Sequence, residues 1–503
     1  MSRYKLTWLF ALNLFFALLL YGRTLPYTFV FDDHDRIEEN AAVKSIFPIS
    51  RFFLDPKTQA DDNTMSHHTY RPLTTISFAI DYALWRDNPM FYRLENIVLH
   101  AINGALLGWI GYVLFRLSWP AAAMSSLFFL LHPLQTEAVA WISGRSDVLS
   151  FTFILLGWVG WIRFQNRRGY INAAIIVVCF GSCLLTREIG ICFPILIVLG
   201  DLALRDQYDS ESRRKNFIFY CLLASMAVLY VDIRFRAIGR LAQIDFWGGT
   251  FVTNIANVMQ TWPLYLEKIV WPSELRVVYW SIPVLTHWSL QAVAGAVSLT
   301  LFLISIGLLW KIKKELSVLL MLVVVFWIPA SNIVPVATQF AERLLYAPLA
   351  FISLAMGVLI ENLQKRWLYK TWAALLVIVF GTTFSHLRTW KNDVTLWENV
   401  IHYEPQNWWA WYMEGVGEFN QADADHNEKT ARGWLARAQN SFERSLNIPM
   451  PRQYIGAILM YLALVTDRLG NHSHAQTQAE QALRLNPTLQ KNWDEKRPPQ
   501  SRD

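Results

Sequence analysis

The sequence predicts a mainly α-helical membrane protein that crosses the bilayer many times and ends in a smaller helical domain. Charged residues make up 17% and hydrophobic residues 54% of the 503 residues, and the mean hydropathy is +0.25. Soluble domains carry about a quarter charged residues. Apolar segments recur along the chain up to residue 384, and the composition becomes polar after it. The net charge of +6 is small and does not indicate a nucleic-acid partner. The lipid bilayer is therefore the expected environment.

About eleven apolar segments are predicted to cross the membrane as helices. Several are shorter than the roughly 20 residues of an ideal span, so flanking aromatic and small residues must extend them. The segments are 6–21, 97–115, 121–131, 149–164, 171–185, 191–204, 217–231, 288–310, 316–329, 344–360 and 372–384.

Basic residues between these segments predict which loops face the cytoplasm, because cytoplasmic loops are enriched in Lys and Arg. The alternation holds if segment 254–271 does not cross, and Pro263 inside it favours an interfacial or re-entrant helix. Asp32 and Asp33 then face the non-cytoplasmic side, as does everything after residue 384. The first span is expected to be an uncleaved anchor. The basic loop residues are Arg3, Lys5, Arg116, Arg163, Arg167, Arg168, Arg205, Arg213, Arg214, Lys215, Lys311, Lys313, Lys314, Lys365, Arg366 and Lys370.

Three regions are predicted along the chain. Residues 1–387 form the transmembrane domain, residues 388–490 a helical domain, and residues 491–503 a charged, disordered tail. The transmembrane domain includes a long first outer loop, 25–92, with interfacial helices expected at 42–54 and 73–85. Loops of this length are usually functional.

The helical domain is predicted to contain two helical pairs. The expected helices are 408–419 with 431–446, and 454–469 with 474–485. The small and apolar positions of each second helix resemble a tetratricopeptide repeat, at a spacing slightly longer than the period of roughly 34 residues. Two repeats are too few for an independent solenoid, so flanking helices or another partner must cap them.

An acidic motif follows the first apolar segment. Asp32 and Asp33 lie among the aromatic residues Phe29 and Phe31, which favour the membrane interface. A carboxylate near a bilayer is costly unless it is hydrated, paired or bound to an ion. The motif is therefore either a solvated loop or a site.

Other polar residues recur at the predicted outer ends of the spans. The bland interpretations are structural ion pairs for Arg145 with Asp147 and for Arg187 with Glu188, and helix packing for His100. His67 and His68 could bind a divalent metal ion with the acidic motif, although adjacent histidines do not easily bind one ion together. The full set is Arg71, His67, His100, Asn103, His132, Glu137, Arg145, Asp147, Arg187, Glu188, Glu342 and Arg343.

This combination of residue types suits transfer of a sugar from a polyprenyl phosphate. Arginines bind the phosphate through paired hydrogen bonds. A carboxylate accepts the proton of the attacking hydroxyl. Stabilising the departing phosphate lowers the barrier to a reaction with an oxocarbenium-like transition state.

The motifs, in their order along the chain, resemble the transmembrane and tetratricopeptide-repeat-containing O-mannosyltransferases and their bacterial relatives, within the GT-C glycosyltransferase superfamily. The resemblance covers almost the whole chain. It rests on Tyr-Thr-Phe-Val-Phe-Asp-Asp at 27–33, Tyr-Arg-Pro-Leu-Thr at 70–74, Asn96, His100, Asn103, His132-Pro133, Thr136-Glu137-Ala138, Gly144-Arg145-Ser146-Asp147, Ser331-Asn332, Ala341-Glu342-Arg343-Leu344-Leu345-Tyr346 and the repeats.

The resemblance implies a GT-C fold, a polyprenyl-phosphate sugar donor, inverting transfer and a protein acceptor that the repeats could hold. It implies Asp32 as general base, with Asp33 as its partner in acceptor positioning or ion binding. It implies Arg145 as a ligand of the donor phosphate, with Arg71, Arg187 and Arg343 as further candidates. The sugar is expected to be mannose and the acceptor Ser or Thr of a protein.

Two alternatives stay open from the sequence. The acceptor could be a lipid or polysaccharide, or the chain could be a non-enzymatic scaffold or transporter. Transporters place polar residues near the bilayer midplane and often contain inverted repeats, whereas the polar residues here gather at one face. The short repeat array favours a bacterial inner membrane, with the site and the repeats facing the periplasm.

Overall fold

The computed structural model describes residues 3–59, 69–203, 210–240, 242–363 and 365–496. Helix is the regular secondary structure throughout these residues, which contain no β-strand, so the mainly α prediction is confirmed. The chain forms two compact units. One comprises Met1–Leu275 with Ile282–Arg388, and the other Arg276–Ser281 with Thr389–Asp503.

The first unit contains thirteen helices of eleven residues or more in its described residues. They are α1 Arg3–Tyr21, α2 Pro72–Trp85, α3 Pro89–Val113, α4 Trp119–Leu131, α5 Arg145–Asn166, α6 Tyr170–Thr186, α7 Phe193–Ala203, α8 Ser210–Ile238, α9 Phe251–Val270, α10 Leu290–Ile312, α11 Lys314–Trp327, α12 Tyr346–Leu363 and α13 Arg366–His386.

Seven of these helices are long and apolar enough to cross a membrane, so the chain is a multi-pass membrane protein. They are α1, α3, α5, α8, α10, α12 and α13. The other four predicted spans fall in α4, α6, α7 and α11, which have 13, 17, 11 and 14 residues. Helices of that length lie below the roughly 20 residues of a straight span. Within the described residues, seven of the eleven predicted spans are therefore helices long and apolar enough to cross a membrane.

Small residues let the helices of this unit approach closely. A Cβ added to Gly104 on α3 would lie 2.3 Å from Asn13 Oδ1 on α1. A Cβ added to Gly357 on α12 would lie 2.3 Å from Ser125 Oγ on α4. Membrane helices associate through such close packing because lipid offers no hydrophobic driving force between them.

In the described part of segment 25–92, which is predicted to be the first outer loop, one element differs from its prediction. The helix expected at 73–85 is α2, but the helix expected at 42–54 is two short pieces, Ala41–Lys44 and Arg51–Leu54. Pro48 lies between them and has no N–H to donate to a continuous helix.

The second unit begins with α14 Asp393–Tyr403 and continues with the four predicted helices. These are α15 Trp408–Ala424, α16 Glu428–Leu446, α17 Arg452–Arg468 and α18 His472–Leu485. Asparagine side chains cap three of their N-termini, because Asn407, Asn427 and Asn471 accept hydrogen bonds from the first-turn amides. Phe442, Ile458 and Ala479 lie in the shared core of the four helices.

The tail prediction is wrong for residues 491–496. They lie in a further helix, α19 Gln490–Lys496, because Trp493 is 5% exposed and packs into the core of the second unit. Residues 497–503 lie outside the described part of the chain.

Two buried carboxylates in the second unit make its stability depend on pH. Glu414 and Glu418 lie one turn apart on α15. Ser441 Oγ of α16 donates to Glu418 Oε2 at 2.7 Å and lies 3.4 Å from Glu414 Oε2. Burial, with the charges of Glu418 and Glu398, raises the pKa of Glu414 from 4.5 to about 8, although Arg437 opposes the shift. The folded state therefore holds the proton more tightly than the unfolded state, and stability falls as pH rises from 4.5 to about 8.

We expect Glu414→Gln to stabilise α15 and α16 near pH 8 and to change little near pH 5. Hydrogen exchange of peptides from the full chain, corrected for the intrinsic rate, measures the difference. The matched control is Glu443→Gln, on the exposed face of α16. Equal protection of wild type and Glu414→Gln near pH 8 would contradict the assignment.

Candidate functional site

The two aspartates of the acidic motif differ in solvent exposure, since Asp33 is buried and Asp32 is partly exposed. Phe31, just before them, adopts a left-handed backbone with φ 55°, a strained geometry for a residue other than glycine. Asp33 is 0% exposed and accepts hydrogen bonds from Val30 N at 3.3 Å, Ser143 N at 2.8 Å and Ser143 Oγ at 2.6 Å. Asp32 keeps 25% of its side chain exposed and lies 3.4 Å from Arg36 Nε. Only Asp32 of the pair is therefore open to a substrate.

Burial sets the protonation behaviour of Asp33. It raises the pKa of the Asp33 carboxyl from 3.8 to about 6, against the lowering effect of the Ser143 hydrogen bonds and the Arg93 charge. At neutral pH the carboxylate is ionised and fixed to the segment that leads into α5. Asp33 thereby holds the acidic motif beside the Gly-Arg-Ser-Asp motif.

Arg93 stabilises the same region from a buried position. Its guanidinium is 0% exposed and donates to the carbonyls of Tyr27 at 2.7 Å, Thr28 at 2.8 Å and Ala140 at 2.8 Å. The segment before the acidic motif and the segment before α5 are thus joined through one side chain. Sequence reasoning missed Arg93, although an arginine within an apolar helix is itself a signal of function or tight pairing.

Arg145 follows this segment, and its partners lie on α2 and α3. Its guanidinium is 0% exposed, pairs with Asp81 and lies 2.9 Å from Glu95 Oε2. Its other acceptors are Asn96 Oδ1 at 2.9 Å, Tyr92 O at 2.6 Å and Ser77 Oγ at 3.5 Å. Every guanidinium nitrogen of Arg145 has a protein acceptor, so its direct contact with a phosphate stays a prediction.

Arg343 interacts electrostatically with the acidic motif. Its backbone N–H donates to Glu137 Oε2 at 2.7 Å, and its guanidinium pairs with Glu137 Oε1. The guanidinium lies 5.2 Å above the Trp141 ring and interacts electrostatically with Asp32. Arg343 keeps 16% of its side chain exposed, while Glu137 keeps 1%. This arginine can therefore meet a ligand while Glu137 holds it in place.

A second group of ion pairs surrounds the end of α6. Arg187 pairs with Asp147 and donates to Ser146 Oγ at 3.0 Å. Arg71 Nη2 donates to Glu188 Oε2 at 3.0 Å.

Burial and neighbouring charges shift the pKa values of Glu188 and Arg187 in this second set. Burial alone would raise the pKa of Glu188, but the charges of Arg71, Arg234 and Arg187 lower it to about 2. Burial lowers the pKa of Arg187 to about 10, although Asp147 opposes this shift. Both groups stay ionised at neutral pH. Arg71 also interacts electrostatically with Arg36, the partner of Asp32, so the two sets of charges adjoin.

His100, Asn103 and His132, three further predicted site residues, contact other helices of the first unit. His100 lies 2.7 Å from Tyr346 Oη and 3.1 Å from Leu130 O, and Asn103 donates to Tyr346 Oη at 3.0 Å. His132 lies 3.2 Å from Ile269 O, and burial lowers the pKa of His132 to about 4. These contacts fit the helix-packing interpretation of His100.

The last predicted site residues are Glu342 and the two histidines His67 and His68. Glu342 is 1% exposed, next to Arg343. His67 and His68 lie outside the described residues. Within residues 3–59, 69–203, 210–240, 242–363 and 365–496, no group of three His, Cys, Asp or Glu side chains is placed to hold a metal ion. A divalent metal ion therefore remains a prediction.

Comparison with known proteins identifies relatives of one kind. A Caenorhabditis elegans protein O-mannosyl-transferase is 26% identical over 408 residues, which cover 78% of this chain and 57% of the relative. Human protein O-mannosyl-transferase TMTC3 is 25% identical over 438 residues, with 78% and 47% covered. Mouse TMTC4 is 26% identical over 466 residues, with 78% and 61% covered.

The chain thus spans about half the length of the relatives it matches. No known protein-family profile matches the chain. The similarity nevertheless extends over 78% of the sequence in three separate relatives. The chain is a distant homologue of the TMTC protein O-mannosyl-transferases.

Proposed function

We propose that this protein transfers mannose from a polyprenyl-phosphate donor to Ser or Thr hydroxyls of a protein, with inversion at the anomeric carbon and Asp32 as general base. The observation that carries the proposal is the partly exposed carboxylate of Asp32 beside Arg36 and within electrostatic reach of Arg343. Its similarity to protein O-mannosyl-transferases supports mannose and a protein acceptor.

The proposed reaction needs one proton transfer and one displacement. The acceptor hydroxyl gives its proton to Asp32 as its oxygen bonds to the anomeric carbon. The bond between that carbon and the phosphate oxygen breaks, and its electron pair leaves with the lipid phosphate. The products are a mannosylated protein, a protonated Asp32 and a polyprenyl phosphate.

We assign the charge of the departing phosphate to partly exposed arginines. Arg343, Arg71 and Arg187 keep 16%, 13% and 10% of their side chains exposed, whereas Arg145 keeps none. Guanidinium groups bind phosphate through two parallel hydrogen bonds. We assign Arg145 a supporting role, in which it holds α2, α3 and α5 together behind the site.

We further propose that this site faces the periplasm of a bacterium, and that the second unit binds the acceptor protein. The similarity of α15 to α18 to tetratricopeptide repeats supports the second part. Aromatic side chains with partial exposure, such as Trp409 and Tyr412, suit an extended polypeptide.

A transfer assay tests the proposal. The purified full chain in lipid nanodiscs is incubated with polyprenyl-phosphate mannose and a Ser/Thr-rich acceptor protein, and mass spectrometry follows both products. We expect one lipid phosphate released for each mannose attached through oxygen. Lipid phosphate release with mannose on a lipid or polysaccharide would favour the alternative acceptor. Absence of release from any polyprenyl-phosphate sugar would refute the proposal.

A further inference from the structure

We propose that Tyr230 and Arg234 of α8, together with Arg71 and Glu188, form the subsite that binds the phosphodiester of the lipid-linked donor. This inference rests on the proposed function, because it names the group that the same cavity would hold. Tyr230 and Arg234 are one helical turn apart and therefore share a face of α8.

Three separate elements bring these side chains together. Arg71 immediately precedes α2, Glu188 follows α6, and Arg234 lies near the end of α8. Glu188 Oε2 accepts a hydrogen bond from Arg71 Nη2 at 3.0 Å. The other carboxylate oxygen, Glu188 Oε1, lies 3.7 Å from Arg234 Nη2. Two guanidinium groups thus converge on one carboxylate. A carboxylate in this position fixes both guanidinium groups for a second anion.

Buried donors at this point have no acceptor among the described residues. Tyr230 is 6% exposed, and its hydroxyl has no hydrogen-bond partner in the described chain. Arg71 Nε is likewise buried without an acceptor there. Tyr230 interacts electrostatically with Glu188, Arg234 and Arg71, so its hydroxyl belongs to the same cluster. Buried donors are normally satisfied, and a ligand rich in acceptor oxygens would satisfy these.

The surface of α8 favours a lipid-linked phosphate over a free one. Val228, Leu229, Ile233 and Phe235 are 70%, 58%, 41% and 48% exposed on this helix. Because α8 is long and apolar enough to cross the membrane, we assign these exposed side chains to lipid, and of them Leu229 and Ile233 lie on the side of the helix that adjoins Tyr230 and Arg234. A donor with a prenyl chain can lie along that surface while its phosphodiester reaches the arginines.

The subsite also agrees with the position of the proposed base. Arg71 interacts electrostatically with Arg36, and Arg36 pairs with Asp32. A phosphodiester bound at Arg71 and Arg234 would therefore lie on the same side as the carboxylate that receives the acceptor proton. We assign Tyr230 and Arg234 as binding residues for the donor, distinct from the base.

Donor binding by variants of α8 tests this subsite. The probe is a short-chain polyprenyl-phosphate mannose, and its Kd and KM are measured with the full-length protein. We expect Arg234→Gln to raise both by about 10- to 100-fold and Tyr230→Phe by about 3- to 10-fold, with smaller changes in kcat. Arg234→Lys should recover part of the loss, since it keeps the charge without the paired hydrogen bonds.

The matched control is Arg236→Gln on the same helix. Arg236 is 77% exposed and pairs with Asp232 at 2.8 Å, so its loss should leave the Kd within about twofold of wild type. Thermal melting and size-exclusion profiles establish that each variant is folded. Inorganic phosphate should fail to displace the lipid probe, whereas displacement at equal concentration would overturn the assignment to a lipid-linked ligand.

Failure of this inference is distinguishable from failure of the proposed function. Suppose that the wild-type protein transfers mannose, and that the Arg234→Gln and Tyr230→Phe variants have the same donor KM as the control Arg236→Gln. The subsite alone is then overturned. If wild type binds the probe but transfers nothing, a weaker Kd in Arg234→Gln still supports the subsite. If wild type neither binds nor transfers, both fail.

Discussion

An Asp32→Asn variant is expected to lose about 10²- to 10⁴-fold in kcat, the range that general-base catalysis contributes. Asparagine has nearly the same shape as aspartate but cannot take up the proton of the attacking hydroxyl group. The donor KM should change little, because the arginines that we assign to the phosphate are untouched. Steady-state rates with purified protein, measured over a range of donor concentrations, separate the two parameters.

Two comparison variants sharpen the Asp32 result. Asp87→Asn removes an exposed aspartate that pairs only peripherally with Lys44, and should keep full activity. Asp33→Asn should lower stability as well as rate, because an amide replaces an oxygen that accepts from Ser143 N or Val30 N. Wild-type kcat in Asp32→Asn would refute the assignment of the base.

Arg145→Met is expected to destabilise the protein by about 3 to 5 kcal/mol, the cost of breaking a buried ion pair from one side. Removal of the guanidinium leaves Asp81 without its cation, at 5% side-chain exposure. Burial, opposed by the Arg145 charge, already raises the pKa of Asp81 to about 7, so the uncompensated carboxyl would take up a proton. Thermal melting in detergent measures the loss.

A paired substitution distinguishes a structural Arg145 from a phosphate ligand. Replacing both members of a buried ion pair by apolar residues is often nearly neutral. Arg145→Met with Asp81→Leu should therefore regain stability, and Glu95 stays solvated at 41% exposure. If Arg145 only supports the fold, activity returns with stability. Recovered stability without activity would show that the Arg145 guanidinium contacts the donor.

The sequence predicted helices better than it predicted their crossing of the membrane. A helix covers most of the described residues in each of the eleven apolar segments, because a helix satisfies its own backbone hydrogen bonds in an apolar setting. Whether α4 or α7 crosses cannot follow from apolarity, since their 13 and 11 residues fit a buried core helix equally well. The single helix predicted at 42–54 was wrong because the prediction relied on the apolar pattern and neglected Pro48, which interrupts a helix.

The candidate site was predictable as a set of residues but not as a set of partners. Charged residues at the span ends were found because such charges are costly near lipid. Which carboxylate each arginine meets depends on tertiary packing. Arg145 faces Asp81 rather than Asp32, and no pattern in the sequence joins residues 64 apart. Ser143 was missed for the same reason, since its role depends on the position of Asp33.

A single-turnover measurement with enzyme in excess tests the central claim most directly, because it observes one loaded donor reacting beside Asp32. Donor occupancy is fixed first, acceptor is added, and mannosylated acceptor and free lipid phosphate are followed together. We predict equal rate constants for the two products in wild type, and equal donor loading but neither product on that timescale in Asp32→Asn. Formation of both products by Asp32→Asn at the wild-type rate constant would contradict the claim.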